Sequence, residues 1–455
     1  MANQVDAPNA PAPDVDAGNP ESLSFNPGTG NARLELSLAA LGFPQFERDN
    51  TAERIQLARL GDSGAGALGV RGDRPVSMNS PELTRFARAN EFEVSRAPNG
   101  QLELSVKANG ERQVLTQFDP TMRGLESAQE QIKKMTEGKI TEIKERFGVD
   151  IARAGDKTPP QQIVRPDGQV RFGRPLESRD PTYRELLGIE AGLNVSEPGQ
   201  RPGDGRPAVK FFFPARDRFI SGGEAAGTYL PDHKGRPVIV WEPNVLKGIP
   251  TTEADALERR EGNEHQGIQG LTTHETAHNS EINIHNIFGE DTVNEMMGWS
   301  KRMVKGPDGQ MHPEWSVKGK NGETMTPPAD TLATATPKWT VRDASGKVIG
   351  KIDPKEVAER ALMRPATSYL ESPSEMLAEG LTMYRLGGEQ RESFMKSSPH
   401  FYKLIQDFDQ AEMNRLTGEG KNMRSFDGRM VPRTPENLEA LRVREDEARK
   451  RLGIK

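Results

Sequence analysis

The chain contains no cysteine. That excludes disulfides, thiolate nucleophiles and cysteine-type zinc sites. Any bound metal must then rely on His, Glu or Asp, a donor set that suits a catalytic site better than a structural one. Aromatic residues make up 6% and hydrophobic residues 34% of the 455, against 45 Gly and 34 Pro, so a good part of the chain must be loop or disorder. The remainder still suffices for two or three domains with a sizeable core. No apolar run approaches the ~20 residues needed to cross a bilayer, so no membrane insertion is expected. The N-terminal Met1-Ala-Asn-Gln-Val-Asp6 lacks the basic start and apolar core of a secretory signal peptide. The expectation is a soluble protein, either cytoplasmic or exported by a route independent of a signal peptide. Net charge is also small: −6 offers no bulk attraction for nucleic acid, and no such partner is expected. Basic runs such as Lys133-Lys134 and Arg259-Arg260 read as solvated helix faces.

Along the chain, residues 1–30 are rich in Pro, Ala, Asn, Asp and Gly and read as a disordered tail. Residues 31–120 read as a small α+β module. Ser80-Pro81-Glu82 opens a short helix, and turns at Pro98-Asn99-Gly100 and Asn109-Gly110 separate the alternating strands of a β-meander. Residues 121–200 hold a charged amphipathic helix, Leu125 to Phe147, followed by a Pro/Gly-rich linker with one helix near 181–191. From 201 to 430 comes an α+β unit: a strand at 208–213, a hairpin at 227–241, then mostly helices. Residues 291–303 read as helix and 304–338 as a surface insertion. A charged surface helix over 431–455 closes the chain.

Against this background one stretch carries chemistry, Gly270-Leu-Thr-Thr-His-Glu-Thr-Ala-His-Asn279. In a helix, residues four apart share a face, so His274 and His278 can reach one cation. Glu275 lies about 100° further round, beside the open position of such an ion, where it can take a proton from water. The bland alternative is a solvated polar helix.

Two histidines hold zinc poorly, so a third protein ligand is expected. His285 lies two turns beyond His278, about 10 Å along the axis and too far. The pattern H-E-x-x-H-x-x-G-x-x-H fails, because Glu281 and Ile284 stand where it needs Gly and His. A straight helix cannot fold Glu281 onto the same ion, although that residue can orient the His278 ring. Glu295, in Val293-Asn294-Glu295, resembles the Asn-Glu pair of thermolysin-like peptidases and is the runner-up. The favoured ligand is Glu375, in Tyr369-Leu-Glu-Ser-Pro-Ser-Glu375-Met-Leu-Ala-Glu379-Gly, in the first turn of a second helix. One turn on, Glu379 can hydrogen-bond a ligating histidine, and the small Ala378 lets two helices come close. The bland alternative is an amphipathic helix with Met376, Leu377 and Leu381 in the core and its glutamates exposed.

H-E-x-x-H, followed at a distance by Tyr and then by S/N-P-x-E-x-x-A-E, resembles the gluzincin metallopeptidases of the anthrax lethal factor and Mlc titration factor type. Ser398-Pro-His-Phe-Tyr402-Lys-Leu-Ile-Gln-Asp-Phe408 is similar to the helix that follows in those proteins. The similarity spans roughly 200–415. It implies a zincin-like α+β fold with a small mixed sheet, an active-site helix and a helical C-terminal part. A sheet edge would run beside the site and pair with an extended protein or peptide substrate. It further implies one zinc held by His274, His278 and Glu375, with Glu275 as base and Glu379 supporting the ligands. Tyr369 would stabilise the oxyanion, with His285 or Tyr402 as weaker choices. The gap from His278 to Glu375 is longer than in those relatives, and the step from Tyr369 to Glu375 is one residue shorter than in lethal factor. The implied activity is zinc-dependent peptide hydrolysis. The alternatives are an exported effector or toxin protease acting on a host or competitor protein, and an inactive binding protein on the same fold.

Overall fold

The computed structural model describes residues 74–164, 170–200, 208–216, 219–221, 227–233, 235–243, 245–256, 267–305, 311–328, 338–367 and 372–454. The expected tail, the start of the 31–120 module and Tyr369 lie outside them. The architecture is mixed α and β with several small sheets, and no described helix is long and apolar enough to cross a membrane.

Helix α1 (Pro81–Asn90) precedes the antiparallel meander β1 (Glu93–Arg96), β2 (Leu102–Ala108) and β3 (Glu111–Phe118). Asn109 and Gly110 make the β2–β3 turn with φ of 58° and 78°, the left-handed pair that Asn-Gly supplies at least cost. Helix α2 (Met122–Phe147) is capped by the Thr121 side chain. It lays Leu125, Ala128 and Ile132 on the meander, then carries Ile140, Ile143 and Phe147 into the next core.

That next core sits under a four-stranded sheet ordered β4 (Asp150–Ile151), β7 (Lys210–Phe212), β10 (Arg236–Trp241) and β9 (Gly227–His233). The first two pairings are parallel and the β10–β9 pairing antiparallel. A boundary at residue 200 would therefore separate paired strands. The supposed linker also contributes β5 (Lys157–Val164) and β6 (Val170–Glu177), which form a sheet with β8 (Ile220–Ser221). Register shifts flank Pro160 in this ladder, so bulges absorb the prolines that made the segment look irregular. Helix α3 (Tyr183–Ser196) follows, with a capping box between Thr182 and Glu185.

A short helix, α4 (Glu253–Ala256), leads to α5 (Ile268–Phe288), the element that joins the two larger cores. Its Ile268 and Leu271 pack under the four-stranded sheet, while Ala277 and Ile284 belong to a second core built from the C-terminal helices. Helix α3 lies close against it because Gly188 and Gly192 leave room: a Cβ at 192 would sit 2.6 Å from Thr272 Cβ. All of 268–280 except Gln269 is buried, so this is no solvated polar helix. Several of its polar groups find partners instead, although the Thr272 hydroxyl has none among the described residues. Thr276 bonds Ser196 Oγ at 2.7 Å, Gln200 Nε2 donates to Thr276 O at 2.8 Å, and Asn279 Nδ2 donates to Gly199 O at 2.7 Å.

After α6 (Glu290–Met296) the expected helix over 291–303 does not continue. Gly298 turns the chain at φ 85°, and Trp299–Lys305 becomes β11, with Trp299 fully buried. An antiparallel sheet follows through β12 (Met311–Lys318), β13 (Thr324–Thr326), β14 (Trp339–Arg342) and β15 (Val348–Ile352). The Trp299 and Trp339 rings lie 5.9 Å apart under it. The stretch read as a surface insertion thus supplies two strands of a sheet, and its start at 304 falls within β11. Helices α7 (Pro354–Arg360), α8 (Pro373–Leu386), α9 (Gly388–Ser397) and α10 (Pro399–Thr417) follow. The hairpin β16 (Asn422–Arg424) and β17 (Met430–Pro432) and then helix α11 (Pro435–Leu452) end the chain.

A buried charge network locks α8, α10 and α5 together. Arg385 on α8 donates to Asp409 Oδ1 at 2.7 Å, Glu412 Oε2 at 2.5 Å and Ser280 Oγ at 2.8 Å. Arg424 bonds Asp409 from the other side at 2.7 Å, and also holds Val195 O and Glu197 O at the C-terminal end of α3. Burial opposes charge on Asp409, but Arg424 and Arg385 hold its carboxyl down to about 2. The stability this gives is complete above the ordinary carboxylate value of about 3.9 and is lost as pH falls from there towards 2. Arg385→Met leaves the buried Glu412 carboxylate without its guanidinium and Asp409 with only Arg424, and should cost about 3–5 kcal/mol. Urea unfolding checks this: the midpoint falls with an unchanged slope, and a loss under about 1 kcal/mol would refute the assignment.

Candidate metal centre

The centre forms where α5 and α8 face each other, at the junction of the two cores. His274 and His278 project from successive turns of α5, with their Nε2 atoms 3.3 Å apart. Glu375 projects from the first turn of α8, its Oε2 3.2 Å from His274 Nε2. Ser372 caps that helix by accepting from Glu375 N at 3.2 Å, and Pro373 follows in the first turn, so local sequence fixes where the carboxylate points. Ligand atoms of these three buried residues all lie within 4.8 Å of one another, and they form the group among the described residues that could hold a metal ion. Glu375 is 1% and Glu379 2% exposed, so the amphipathic-helix alternative with solvated glutamates does not describe α8.

The outer nitrogen of each ring also has acidic company. His274 Nδ1 lies 2.8 Å from Glu379 Oε1, and Thr367 Oγ1 donates to Glu379 Oε2 at 3.1 Å. His278 Nδ1 lies 3.4 Å from Glu281 Oε2 and 3.2 Å from Ser374 Oγ. Carboxylates only accept, so each neutral ring carries its proton on Nδ1 and turns a bare Nε2 inward. Two nitrogen lone pairs and a carboxylate oxygen then converge with nothing to donate between them. Such a convergence is unfavourable unless a cation or a proton occupies it. Burial works against charge on His274, yet Glu375 and Glu379 raise it to about 10. A proton on His274 is therefore what a metal would displace. Burial pushes His278 down to about 3, so that ring stays neutral.

Glu275 is fully buried, and neither of its carboxylate oxygens has a hydrogen-bond partner among the described residues. Burial raises it to about 8, with His274 pulling it down and Glu375 adding to the rise. Strand β9 passes directly beside it: a Cβ at Gly227 would sit 2.9 Å from Glu275 Oε1 and 2.9 Å from the Trp241 ring. Two residues on, the Tyr229 ring stacks near His278 at 5.9 Å, and its hydroxyl donates to Asn279 Oδ1 at 3.2 Å. Motif reading alone did not single out Gly227, Tyr229, Thr367 or Ser374. The hairpin read at 227–241 and the sheet edge implied by the resemblance did point to a strand here.

Several other expected residues lie apart. Glu295 is exposed on α6 and is not in the group, whereas its neighbour Asn294 is buried. Glu281 faces the outer side of His278, and His285 Nε2 lies 3.8 Å from Glu281 Oε1. Tyr402 donates to Glu445 on α11 at 2.7 Å, which ties down the last helix and leaves its hydroxyl occupied away from the centre. Comparison with known protein families, curated proteins and solved structures finds no match.

Proposed function

We propose that this chain is a zinc-dependent endopeptidase. The observation that carries the reading is the convergence of three buried acceptors on one point, next to a buried carboxylate with no partner among the described residues. A tetrahedral ion with bonds of about 2.0–2.1 Å separates its ligand atoms by about 3.3 Å. The 3.3 Å and 3.2 Å spacings at His274 Nε2 match that edge. The donor set of two imidazoles and a carboxylate suits zinc and leaves a fourth position free.

Zinc held there would supply Lewis acidity to a water and to the carbonyl under attack. Glu275 would accept the proton from that water and pass it to the leaving amine nitrogen. Glu379 and Glu281 would hold the two rings in the tautomers that offer Nε2. Strand β9, the end strand of its sheet beside β10 among the described residues, starts at Gly227 beside Glu275. An extended peptide pairing with that edge would lie across the centre, which favours a protein or peptide substrate.

The test is metal analysis of purified protein together with cleavage of a peptide library, with and without a chelator. About one zinc per chain is expected, with cleavage abolished by the chelator and restored by zinc. No zinc near stoichiometry would overturn the proposal and favour a binding protein that has kept the helices alone. A further consequence concerns Gly227→Ala. The new methyl group must displace the Glu275 carboxylate, because the Trp241 ring blocks its other side. Zinc content should stay at the wild-type level while kcat falls about 10²-fold, the cost of misplacing a reacting group by roughly an ångström. Unchanged kcat would show that β9 does not fix the base.

A further inference from the structure

We propose that Ser374 is a positioning residue that sets the tautomer of His278, and so makes the docking of α8 against α5 a condition for metal binding. The inference rests on reading the centre as a metal site. Ser374 is 7% exposed, and its Oγ lies 2.5 Å from Glu281 Oε2 and 3.2 Å from His278 Nδ1. With Glu281 ionised, the three groups can be satisfied in one direction only. Glu281 as a carboxylate has no proton to give, so the serine hydroxyl donates to it. The hydroxyl oxygen is then free to accept, and what it faces is His278 Nδ1. That nitrogen must therefore carry the ring proton, which leaves Nε2 bare on the side of His274 and Glu375.

The ordinary role for a serine in a first helical turn is to cap, and here it is already taken. Ser372 accepts from Glu375 N, so the Ser374 hydroxyl is not spent on its own helix and reaches across to the other one. Consecutive residues of α8 thus act on both sides of the same imidazole pair, Glu375 on the inner face and Ser374 on the outer edge of His278. Glu281 alone lies 3.4 Å from Nδ1, a long contact that would hold the ring loosely. Unless α8 is seated, the His278 ring lacks both the orienting hydroxyl and the third ligand.

Titrating the full-length protein with zinc against a competing chelator, and with cobalt by absorption, tests this. Ser374→Ala should weaken zinc binding about 10- to 100-fold and alter the intensity of the cobalt visible bands. Ser374→Thr, which keeps the hydroxyl, should recover much of the loss. The thermal midpoint of the metal-free Ala variant should stay close to that of the wild type, which a purely structural serine would not allow. Glu281→Gln keeps the shape and removes the charge. It should shift affinity in the same direction, and it serves as the second variant if Ser374→Ala fails to fold. Wild-type zinc affinity in both variants, with the wild type binding one zinc, would overturn the positioning role and leave the metal site standing. No zinc binding by the wild type would overturn the metal site and this role with it.

Discussion

Glu275→Gln will keep zinc at the wild-type level and lower peptide hydrolysis by about 10³-fold or more. The carboxylate is not among the three grouped ligand residues, so an amide of the same shape leaves the metal geometry alone. What the amide cannot do is accept a proton from water, and general-base catalysis contributes roughly 10²–10⁴-fold. The buried setting raises Glu275 to about 8, the direction that makes a carboxylate a useful base near neutral pH. The same burial makes the native residue costly to the fold, since neither oxygen has a partner among the described residues. Glu275→Gln should therefore unfold at the same temperature as the wild type or higher, the usual exchange of stability for activity at a site of this kind. Steady-state cleavage, metal content and a melting curve on one preparation separate the outcomes. Undiminished cleavage would remove Glu275 from the mechanism.

Features of the centre written in local spacing could be read from the chain, and features that depend on long-range convergence could not. Two imidazoles four residues apart need only a helix to share a face. The cap of Ser372 and Pro373 places Glu375 in a first turn without reference to anything else. The Asn109-Gly110 hairpin is equally local. By contrast, Ser374 matters because a hydroxyl meets Glu281 across 93 positions, and Arg385 because it finds Asp409, Glu412 and Ser280 on two other helices. Composition misled where tertiary structure overrode it. Pro159 and Pro160 sit in a bulged strand rather than a linker, and Trp299 drew its segment into a sheet whose core-facing row runs through Val317, Met325 and Val341. The α5 helix carries an almost unbroken buried surface of threonines, histidines and amides. No hydrophobic periodicity would mark it as interior, because its burial depends on partners such as Ser196, Gly199 and Gln200, some 80 positions away.

Glu375→Ala and Glu295→Ala, measured side by side, decide which carboxylate completes the metal site, and they should differ by orders of magnitude. A zinc site is worth roughly 10–16 kcal/mol where four protein ligands contribute. Losing one ligand of three should then cost about 3–5 kcal/mol, or about 10²–10⁴-fold in affinity. Glu375→Ala also leaves His274 Nε2 facing His278 Nε2 at 3.3 Å without the carboxylate grouped with them, so the remaining pair offers two neutral donors to a doubly charged ion. Its zinc should be lost on dialysis, and peptide hydrolysis with it. Glu295 is solvent-exposed on α6, outside the group formed by His274, His278 and Glu375, and its removal should change zinc affinity by less than about twofold. If Glu295→Ala instead strips the metal while Glu375→Ala retains it, α8 is only a packing helix. The two histidines would then have to find their third ligand by a rearrangement that brings α6 across the end of α5.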